Sequence, residues 1–353
     1  MSSVPLPIHG RGAGGNPPNR FEPIAFERDP DACIDPADDP ALTTQYFKDS
    51  TRSIIAENDS PDVGFRFSIN PYRGCEHGCI YCYARPTHEY LGLSAGLDFE
   101  SRIFVKTDAP QLLRKELMAK KWSPQTISIS GVTDCYQPAE RHFKLTRQCL
   151  EVLAEFGNPA GIVTKSHLVT RDIDVLQKLA AINAIIVMLS VTTLDGDVSR
   201  KMEPRAASPE RRLEAIRQLT AAGIAVGVMV APVVPGLTDH EIPTILAAAA
   251  SAGAVTAGYV PLRLPYAVAP LFEQWVQTHF PDRAGKILNR IKDLRGGKLN
   301  DANFHTRMRG QGQFAEHMKS IFDLAKRKAS LDKPFPDLAT CHFTRPGSQL
   351  TMF

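Results

Sequence analysis

The chain has 353 residues, of which 43% are hydrophobic and 22% are charged, and its formal net charge at pH 7 is +3. This composition is ordinary for a globular protein and excludes a repeat or fibrous protein. The longest apolar stretches, 223–234 and 245–250, are much shorter than the roughly 18 residues that a membrane span needs. The first thirty residues lack the apolar core of a secretory signal. We therefore expect a cytoplasmic protein without a transmembrane helix.

Four segments follow from the distribution of residue types. Residues 1–60 are predicted to be an N-terminal extension, partly flexible, because up to about residue 40 the chain is rich in Gly, Pro, Asp and Asn without periodic apolar spacing. Residues 61–266 are predicted to form the main domain, 267–340 a helical region and 341–353 a tail. From 283 to 333 the chain carries thirteen Lys and Arg against five Asp and Glu, which indicates either a basic C-terminal face or ordinary solvated helices.

Apolar runs alternate with helical patterns through the main domain. Strands are predicted at 65–69, 126–130, 161–164, 184–191, 224–231 and 255–261. Helices are predicted between them at 109–120, 141–156, 172–182, 209–222 and 240–252, and after them at 267–278, 285–294 and 312–329. Strands that alternate with helices form a parallel sheet with right-handed crossovers. Because six such units are fewer than the eight of a TIM barrel, we predict an α/β fold built as an open, partial (β/α)6 TIM-type barrel with a C-terminal helical extension.

Three cysteines, Cys75, Cys79 and Cys82, stand close together in the loop after the first predicted strand. Thiolates are soft ligands that select iron-sulfur clusters, zinc or Cu(I). A structural zinc site normally has four protein ligands, often as two Cys-x-x-Cys pairs, and the other cysteines of this chain are scattered singly. A zinc knuckle completed by His77 or His88 is the alternative. Clustered thiols in a chain with seven cysteines, an odd number, favour a reducing compartment.

The spacing Cys-x-x-x-Cys-x-x-Cys, with the aromatic residue Tyr81 before the last cysteine, resembles the signature of the radical SAM superfamily. The resemblance implies a 4Fe-4S cluster on Cys75, Cys79 and Cys82, with the amino and carboxylate groups of S-adenosylmethionine (SAM) on the fourth iron. It also implies reductive cleavage of SAM to a 5'-deoxyadenosyl radical, an electron donor such as flavodoxin or ferredoxin, and a partial barrel whose cluster loop follows the first strand.

Polar residues follow the second, third and fourth predicted strands, and ligand sites in such sheets collect at the carboxyl ends of the strands. From 65 to 265 the chain resembles the spore photoproduct lyase and DNA repair photolyase-like subgroup of the superfamily. By that resemblance, Asp134 binds the amino group of SAM, Lys165 its carboxylate and Ser190 its ribose hydroxyls. Helix capping by Asp134 and hydrogen bonding of strand-end backbone groups by Ser190 are the structural alternatives.

Two tyrosines, Tyr81 and Tyr83, flank the last cysteine of the loop. The arrangement resembles that in spore photoproduct lyase, where two tyrosines are implicated in returning a hydrogen atom to the spent cofactor. Packing against the adenine and the barrel wall is the alternative role. Cys135 follows Asp134 instead of preceding it, which departs from the lyase pattern and favours a packing role for this cysteine.

Arg205 lies in the segment Glu203-Pro-Arg205 after the fourth predicted strand. It is a candidate for holding the substrate or the SAM carboxylate, and Arg263, after the sixth strand, is a similar candidate. A surface ion pair between Glu203 and Arg205 is the alternative, and such a pair is usually worth about 0–1 kcal/mol.

The last five residues of the chain resemble the Gln-Leu-x-Leu-Phe peptide by which bacterial replication and repair proteins bind the sliding clamp. A free terminus can place Leu350, Met352 and Phe353 in an apolar groove while Gln349 sets the register by hydrogen bonds. Packing of Phe353 on its own domain is the alternative.

Taken with the subgroup resemblance and the basic helices, this tail predicts a radical SAM enzyme that abstracts hydrogen from a nucleic acid, in DNA repair or base modification. A radical SAM enzyme that acts on RNA, a peptide or a metabolite is the second hypothesis. The third is a non-catalytic zinc-binding interaction protein, in which the thiolates hold zinc and the tail recruits a partner.

Overall fold

The structure is a computed structural model and describes residues 8–22, 42–334 and 336–347. The described residues contain ten strands: β1 (Gln45–Lys48), β2 (Ile55–Glu57), β3 (Phe67–Ile69), β4 (Tyr72–Arg73), β5 (Arg102–Val105), β6 (Ile127–Ile129), β7 (Ala160–Thr164), β8 (Ile185–Ser190), β9 (Val226–Val233) and β10 (Thr256–Pro261).

The same residues contain twelve α-helices: α1 (Leu97–Ser101), α2 (Ala109–Met118), α3 (Glu140–Phe143), α4 (Leu145–Phe156), α5 (Ile173–Ala180), α6 (Gly196–Met202), α7 (Pro209–Ala221), α8 (Ile242–Ser251), α9 (Val268–His279), α10 (Ala284–Leu294), α11 (Thr306–Arg309) and α12 (Gly312–Lys328). Within the described ranges, none of the helices has the length and apolar character to span a membrane.

The larger sheet has seven strands in the order β10-β9-β8-β7-β6-β3-β2. β3 and the strands from β6 to β10 run parallel to one another, and β2 pairs antiparallel with β3 at one edge. β8 is buried at every position, which matches its continuous apolar sequence because helices cover the faces of a parallel sheet. The predicted α/β fold with a parallel sheet is confirmed, and each of the six parallel strands lies on a predicted strand.

A second sheet, of order β1-β5-β4, was not predicted. β5 pairs in parallel with β1 and antiparallel with β4. β1 is exposed at all four positions and β4 has only two residues, so neither produces an apolar alternation. β1 and β2 both fall within 1–60, and the segment expected to be an extension therefore contributes one strand to each sheet.

Local chemistry explains where two of the helices begin. α7 starts after Ser208, whose hydroxyl accepts a hydrogen bond from the backbone N–H of Arg211. The predicted helix 141–156 is divided in the structure, because Lys144 adopts a left-handed conformation (φ 54°) between α3 and α4. The carboxylate of the buried Glu140 accepts from the N–H of Thr146 at 3.0 Å and so caps α4.

The C-terminal helices cover the β10 edge of the larger sheet. The ring of Phe322 on α12 lies 4.5 Å from that of Tyr259 on β10. Arg295, which is buried, donates to the carbonyls of Pro261 and Leu262 at 3.2 and 2.7 Å. At least this arginine of the basic segment 283–333 therefore stabilises the fold and does not belong to a solvated basic face.

Candidate active site

The loop that carries the three cysteines, residues 70–84, follows β3 at the carboxyl end of the parallel sheet, as predicted. Two glycines shape it, Gly74 (φ 79°) and Gly78 (φ 67°), in a region that costs other residues about 1–2 kcal/mol. A Cβ atom at Gly74 would also lie only 3.0 Å from the carbonyl oxygen of Phe99. These two turns bring the cysteines into one compact segment.

A buried ion pair between Arg85 and Glu100 holds the loop. Both side chains are fully buried, and Arg85 Nη2 lies 2.5 Å from Glu100 Oε1. Arg85 also donates to the carbonyls of Cys79 and Gly78 at 2.9 and 3.2 Å. Sequence reasoning missed this pair, because its spacing follows neither the helix nor the strand period. A basic residue just after the last cysteine is the only local signal.

Residues 8–22, here called the N-terminal strap, lie against the loop without forming a helix or strand. The backbone N–H groups of Gly12 and Ala13 donate to the Glu100 carboxylate at 3.0 and 2.9 Å. Gly12 is so close to the loop that a Cβ atom there would overlap the carbonyl oxygen of Gly78. The strap therefore covers one side of the cysteine loop, and only glycine fits at this contact.

Cys75 and Cys79 are buried and Cys82 is partly buried, and the three thiols are close enough to affect one another. Burial, followed by the charges of Asp134 and the other two thiols, raises the pKa of Cys75 well above its ordinary value. Burial likewise raises the pKa of Cys79 to about 12 and also raises that of Cys82. Thiols bind metal as thiolates, and a positively charged metal centre compensates their burial. The donor set therefore fits an iron-sulfur cluster, although no three His, Cys, Asp or Glu side chains of the described chain are already arranged around a metal position.

The carboxylate of Asp134, which follows β6, accepts hydrogen bonds from other groups of the protein. It accepts from the hydroxyl of Thr164 (2.7 Å) and from the N–H groups of Tyr136 (2.9 Å) and Lys165 (2.8 Å), and its Oδ2 lies 3.4 Å from His77 Nδ1. Burial opposes ionisation, but His77 and these donors outweigh it and lower the pKa of Asp134 to about 2. A carboxylate has about four acceptor sites, so Asp134 is occupied in joining the cysteine loop to the segment after β7.

Lys165 places its ammonium beside the thiols. Its Nζ lies 5.8 Å from the centre of the Tyr81 ring, and its charge opposes the burial that raises the pKa values of Cys79 and Cys82. Within the described chain, no carboxylate forms an ion pair with this ammonium. Lys165 is therefore a cation available to a ligand at the place where the sequence predicted one.

The hydroxyl of Tyr81 belongs to a buried polar network. It contacts Glu203, which also accepts from the hydroxyl of Thr192 at 2.8 Å and pairs with Arg212 of α7. All four side chains are buried. The surface ion pair between Glu203 and Arg205, considered from the sequence, is not formed. Glu203 pairs with Arg212 instead, because α7 brings that arginine to it. This network was missed, since its four members come from four separate segments of the chain.

The remaining predicted residues surround the loop but differ in exposure. Arg205 pairs with Glu76 of the loop at 3.1 Å. Ser190, at the end of β8, is buried. Tyr83 is 51% exposed and donates to the carbonyl of Gly131 at 3.0 Å. The structure thus gathers Tyr81 and Lys165 with the cysteines and leaves the ring of Tyr83 facing solvent.

Cys135 lies in the main hydrophobic core. Its side chain is fully buried, and its backbone N–H donates to the hydroxyl of Ser130 at 2.7 Å. Burial raises the pKa of this thiol well above its ordinary value. These surroundings agree with the packing role expected from the sequence.

Known proteins share both sequence and fold with this chain. Residues 69–249 match the family model of the radical SAM superfamily. An uncharacterized protein of Mycobacterium tuberculosis strain H37Rv is 36% identical over 232 residues, 65% of this chain and 67% of the relative. A radical SAM Nalpha-GlyT isomerase of Pseudomonas phage M6 is 28% identical over 198 residues, 56% of this chain and 39% of the relative.

Solved structures of spore photoproduct lyase have the same fold. The lyase complexed with dinucleoside spore photoproduct has a TM-score of 0.56 and 16% identity, covering 80% of this chain and 78% of the lyase. A point mutant of the lyase has a TM-score of 0.58 and 16% identity, covering 81% and 79%. Because the family model spans more than half of the chain, the chain belongs to the radical SAM superfamily, whose members are enzymes that use a 4Fe-4S cluster and SAM.

Proposed function

We propose that Cys75, Cys79 and Cys82 hold the 4Fe-4S cluster and that the enzyme acts on DNA, in repair or base modification. The observation that carries the cluster assignment is the set of three thiols, two buried and one partly buried, in one loop at the carboxyl end of the sheet. When bound, the cluster and SAM supply reductive hydrogen-abstraction chemistry. The chain's own residues bind and orient the cofactor and exclude water from it.

Lys165 is the proposed partner of the SAM carboxylate, because an ammonium without an internal ion pair stands beside the thiols. The resemblance assigns the SAM amino group to Asp134, but the acceptor sites of this carboxylate are already used. We therefore assign Asp134 as a positioning residue that fixes the backbone of Lys165. Ser190 keeps its proposed role at the ribose.

Anaerobic reconstitution with iron and sulfide tests the cluster assignment. We expect the wild-type protein to become brown and to bind iron, and Cys79→Ala to lose both properties together with SAM cleavage. Cys149→Ala is the matched control, because Cys149 is an equally buried cysteine of α4 in the main core. A colourless wild-type protein that retains zinc would instead support the zinc-binding hypothesis, and an intact cluster in Cys79→Ala would overturn the ligand assignment.

Two exposed aromatic rings, each with an arginine nearby, support a nucleic-acid substrate. Tyr83, next to Cys82, is half exposed, and it is close enough to Arg263 for that charge to act on its hydroxyl. Phe304 is 52% exposed, and the guanidinium of Arg307, which pairs with Asp62, lies 4.4 Å from its ring centre. Aromatic faces stack on bases and arginines contact phosphates in single-stranded recognition. The dinucleoside bound by spore photoproduct lyase, the fold neighbour, supports the same class.

Binding of a single-stranded DNA oligonucleotide tests this substrate class. Stacking is worth about 1–3 kcal/mol per base, so Tyr83→Leu should weaken binding about tenfold or more. Tyr90→Leu is the control, because Tyr90 is also exposed (72%) but stacks on Phe21 of the strap. Equal affinities in the two variants, or no binding by the wild type, would favour RNA, a peptide or a metabolite as substrate.

The proposed partners extend beyond the substrate. Gln349, Leu350, Met352 and Phe353 lie outside the described residues, and binding of this tail to a bacterial sliding clamp is a proposal from its sequence. Deletion of residues 349–353 should abolish clamp binding and leave cluster assembly intact, and unchanged binding would refute the proposal. A flavodoxin or ferredoxin is the proposed electron donor, and clustered thiols support a reducing, cytoplasmic location.

A further inference from the structure

A cavity of about 290 Å3 lies beside the cysteine loop. The loop contributes His77 to its lining, but none of the cysteines lines it, and neither do Lys165 or Ser190. The cavity therefore differs from the proposed cluster and SAM site. Among the described residues, its lining includes three arginines and two histidines and no Asp or Glu: Arg141, Arg205, Arg211, His77 and His167.

Two of the three arginines carry charges that no carboxylate of the described chain neutralises. The side chain of Arg141 has no hydrogen bond or ion pair there, and the side chain of Arg211 contacts only His167 Nδ1, at 3.2 Å. Arg205 is partly neutralised by Glu76 at 3.1 Å. The cavity is therefore an electropositive recess, because opposing carboxylates are missing from its walls.

His167 contributes a hydrogen-bond donor without an acceptor. A guanidinium only donates hydrogen bonds, so Nδ1 of His167 accepts the one from Arg211, and the neutral ring carries its hydrogen on Nε2. Nε2 is buried and has no partner among the described residues. The neutral ring therefore lines the cavity without adding a negative charge to its wall.

The first turn of α7 adds a positive field to the same recess. Ala206 and Ala207, which precede the helix, line the cavity together with Arg211 of the first turn. α7 has thirteen residues, and the N-terminus of such a helix carries a partial positive charge that favours anions.

We propose that this cavity binds a phosphate group, carried either by a nucleic-acid strand or by a free mononucleotide. The guanidinium groups of Arg141 and Arg211 bind the phosphate oxygens, since planar guanidinium forks match phosphate geometry. If the phosphate belongs to a nucleic-acid strand, the proposal rests on the proposed function, in which DNA is the substrate. The phosphate site itself does not depend on it.

Isothermal titration calorimetry on the full-length, cluster-reconstituted protein tests the proposal, with inorganic phosphate as the first probe. We expect saturable binding that weakens about tenfold or more in Arg211→Gln and further in the double variant Arg141→Gln/Arg211→Gln. Arg217→Gln is the matched control, because Arg217 lies on the same helix, is exposed and pairs with Glu214. Unchanged phosphate affinity in that control is expected.

Competition then identifies the source of the phosphate. Displacement of inorganic phosphate by a single-stranded oligonucleotide supports a strand phosphate, and displacement by a 5'-mononucleotide alone supports a free nucleotide. No saturable phosphate binding by the wild type, equal affinity in the double variant, or an equal loss in Arg217→Gln would each overturn the phosphate site. The Tyr83→Leu measurement tests base stacking on a residue outside this cavity. Failure of the proposal that DNA is the substrate is therefore distinguishable from failure of the phosphate site.

Discussion

At the scale of single residues, Arg85 ties the cysteine loop to the fold with hydrogen bonds to four carbonyls and to Glu100. We expect Arg85→Met to lower the free energy of unfolding by about 3–5 kcal/mol, because Glu100 stays buried without its cation. Chemical denaturation of the cluster-free protein measures this loss. Arg114→Met, which breaks an exposed pair with Glu155, should cost about 0–1 kcal/mol. Similar losses in both variants would contradict the role of Arg85.

His88 makes stability depend on pH. The ring is fully buried, its Nε2 lies 2.9 Å from the carbonyl oxygen of Arg102, and burial lowers the pKa of His88 from 6.5 to about 4. Above pH 6.5 the ring is neutral whether the chain is folded or unfolded, so it contributes no pH dependence. As the pH falls from 6.5 towards 4, the unfolded chain binds a proton that the folded chain does not, and stability falls by up to about 3 kcal/mol.

We therefore expect His88→Gln, which keeps a donor for the Arg102 carbonyl, to show a smaller loss of stability than the wild type between pH 7 and pH 4.5. Urea denaturation at the two pH values measures the difference. His142→Gln, at an exposed position of α3, should lose as much as the wild type does. A wild-type-like loss in His88→Gln would refute the assignment.

Single residues also show what the sequence could reveal about the site. The grouping of Cys75, Cys79 and Cys82 in one loop was predictable from their spacing, which is also the basis of the proposal that they share a ligand. The partner of Glu203 was not, because the distance in sequence to Arg212 has no meaning until α7 folds back on the sheet. The occupied acceptors of Asp134 were hidden for the same reason, since Thr164 and the N–H of Lys165 reach it only when β6 and β7 lie side by side.

At the scale of elements, the break between α3 and α4 is a site for stabilisation. Lys144 is exposed and has a φ of 54°, a conformation that costs a residue with a Cβ about 1–2 kcal/mol. Glycine avoids this cost and loses about 0.5–1 kcal/mol of chain entropy. We expect Lys144→Gly to raise the free energy of unfolding by about 0.5–1 kcal/mol. Lys115→Gly, inside α2, should lower it by about 1 kcal/mol, and thermal or urea unfolding of both variants checks the opposite signs.

The N-terminal strap protects the cysteines, since Ala13 packs in the same buried cluster as Cys79. Gly12→Ala forces the strap away from the Gly78 carbonyl. We expect iodoacetamide to modify Cys79 about tenfold faster in cluster-free Gly12→Ala, because local opening becomes easier. Mass spectrometry measures the rate. Gly15→Ala is the control, since a Cβ atom there meets no neighbour, and equal rates in the two variants would disprove protection by the strap.

Elements differ in how well the sequence predicts them. The six parallel strands were predictable because buried strands such as β8 are continuous apolar runs between helices. β5 was not, since it follows α1 without an intervening turn. Its partner β1 is exposed throughout, and tertiary pairing, not local pattern, makes both into strands.

At the scale of the whole molecule, the C-terminal segment ties distant parts of the chain together. Arg345 donates to the carbonyls of Ala119 and Trp122, just after α2, at 3.1 and 2.9 Å. We expect Arg345→Ala to lower the free energy of unfolding by about 1–3 kcal/mol, because these carbonyls lose a charged donor. Lys328→Ala, an exposed change at the end of α12, should stay within about 0.5 kcal/mol of the wild type. Urea denaturation compares the two variants. Equal free energies of unfolding would refute a stabilising role for the Arg345 contacts.

The strap also sets an order of events during maturation. Residues 8–22 leave the ribosome before the loop that they cover, and Glu100, which anchors Gly12 and Ala13, is synthesised later still. The strap can therefore dock only after the loop and its anchor have been synthesised. Iron and sulfide delivered before docking meet an uncovered loop, whereas later delivery requires the strap to lift. Docking of residues 8–22 is thus a later step in making the enzyme than synthesis of the loop that they cover.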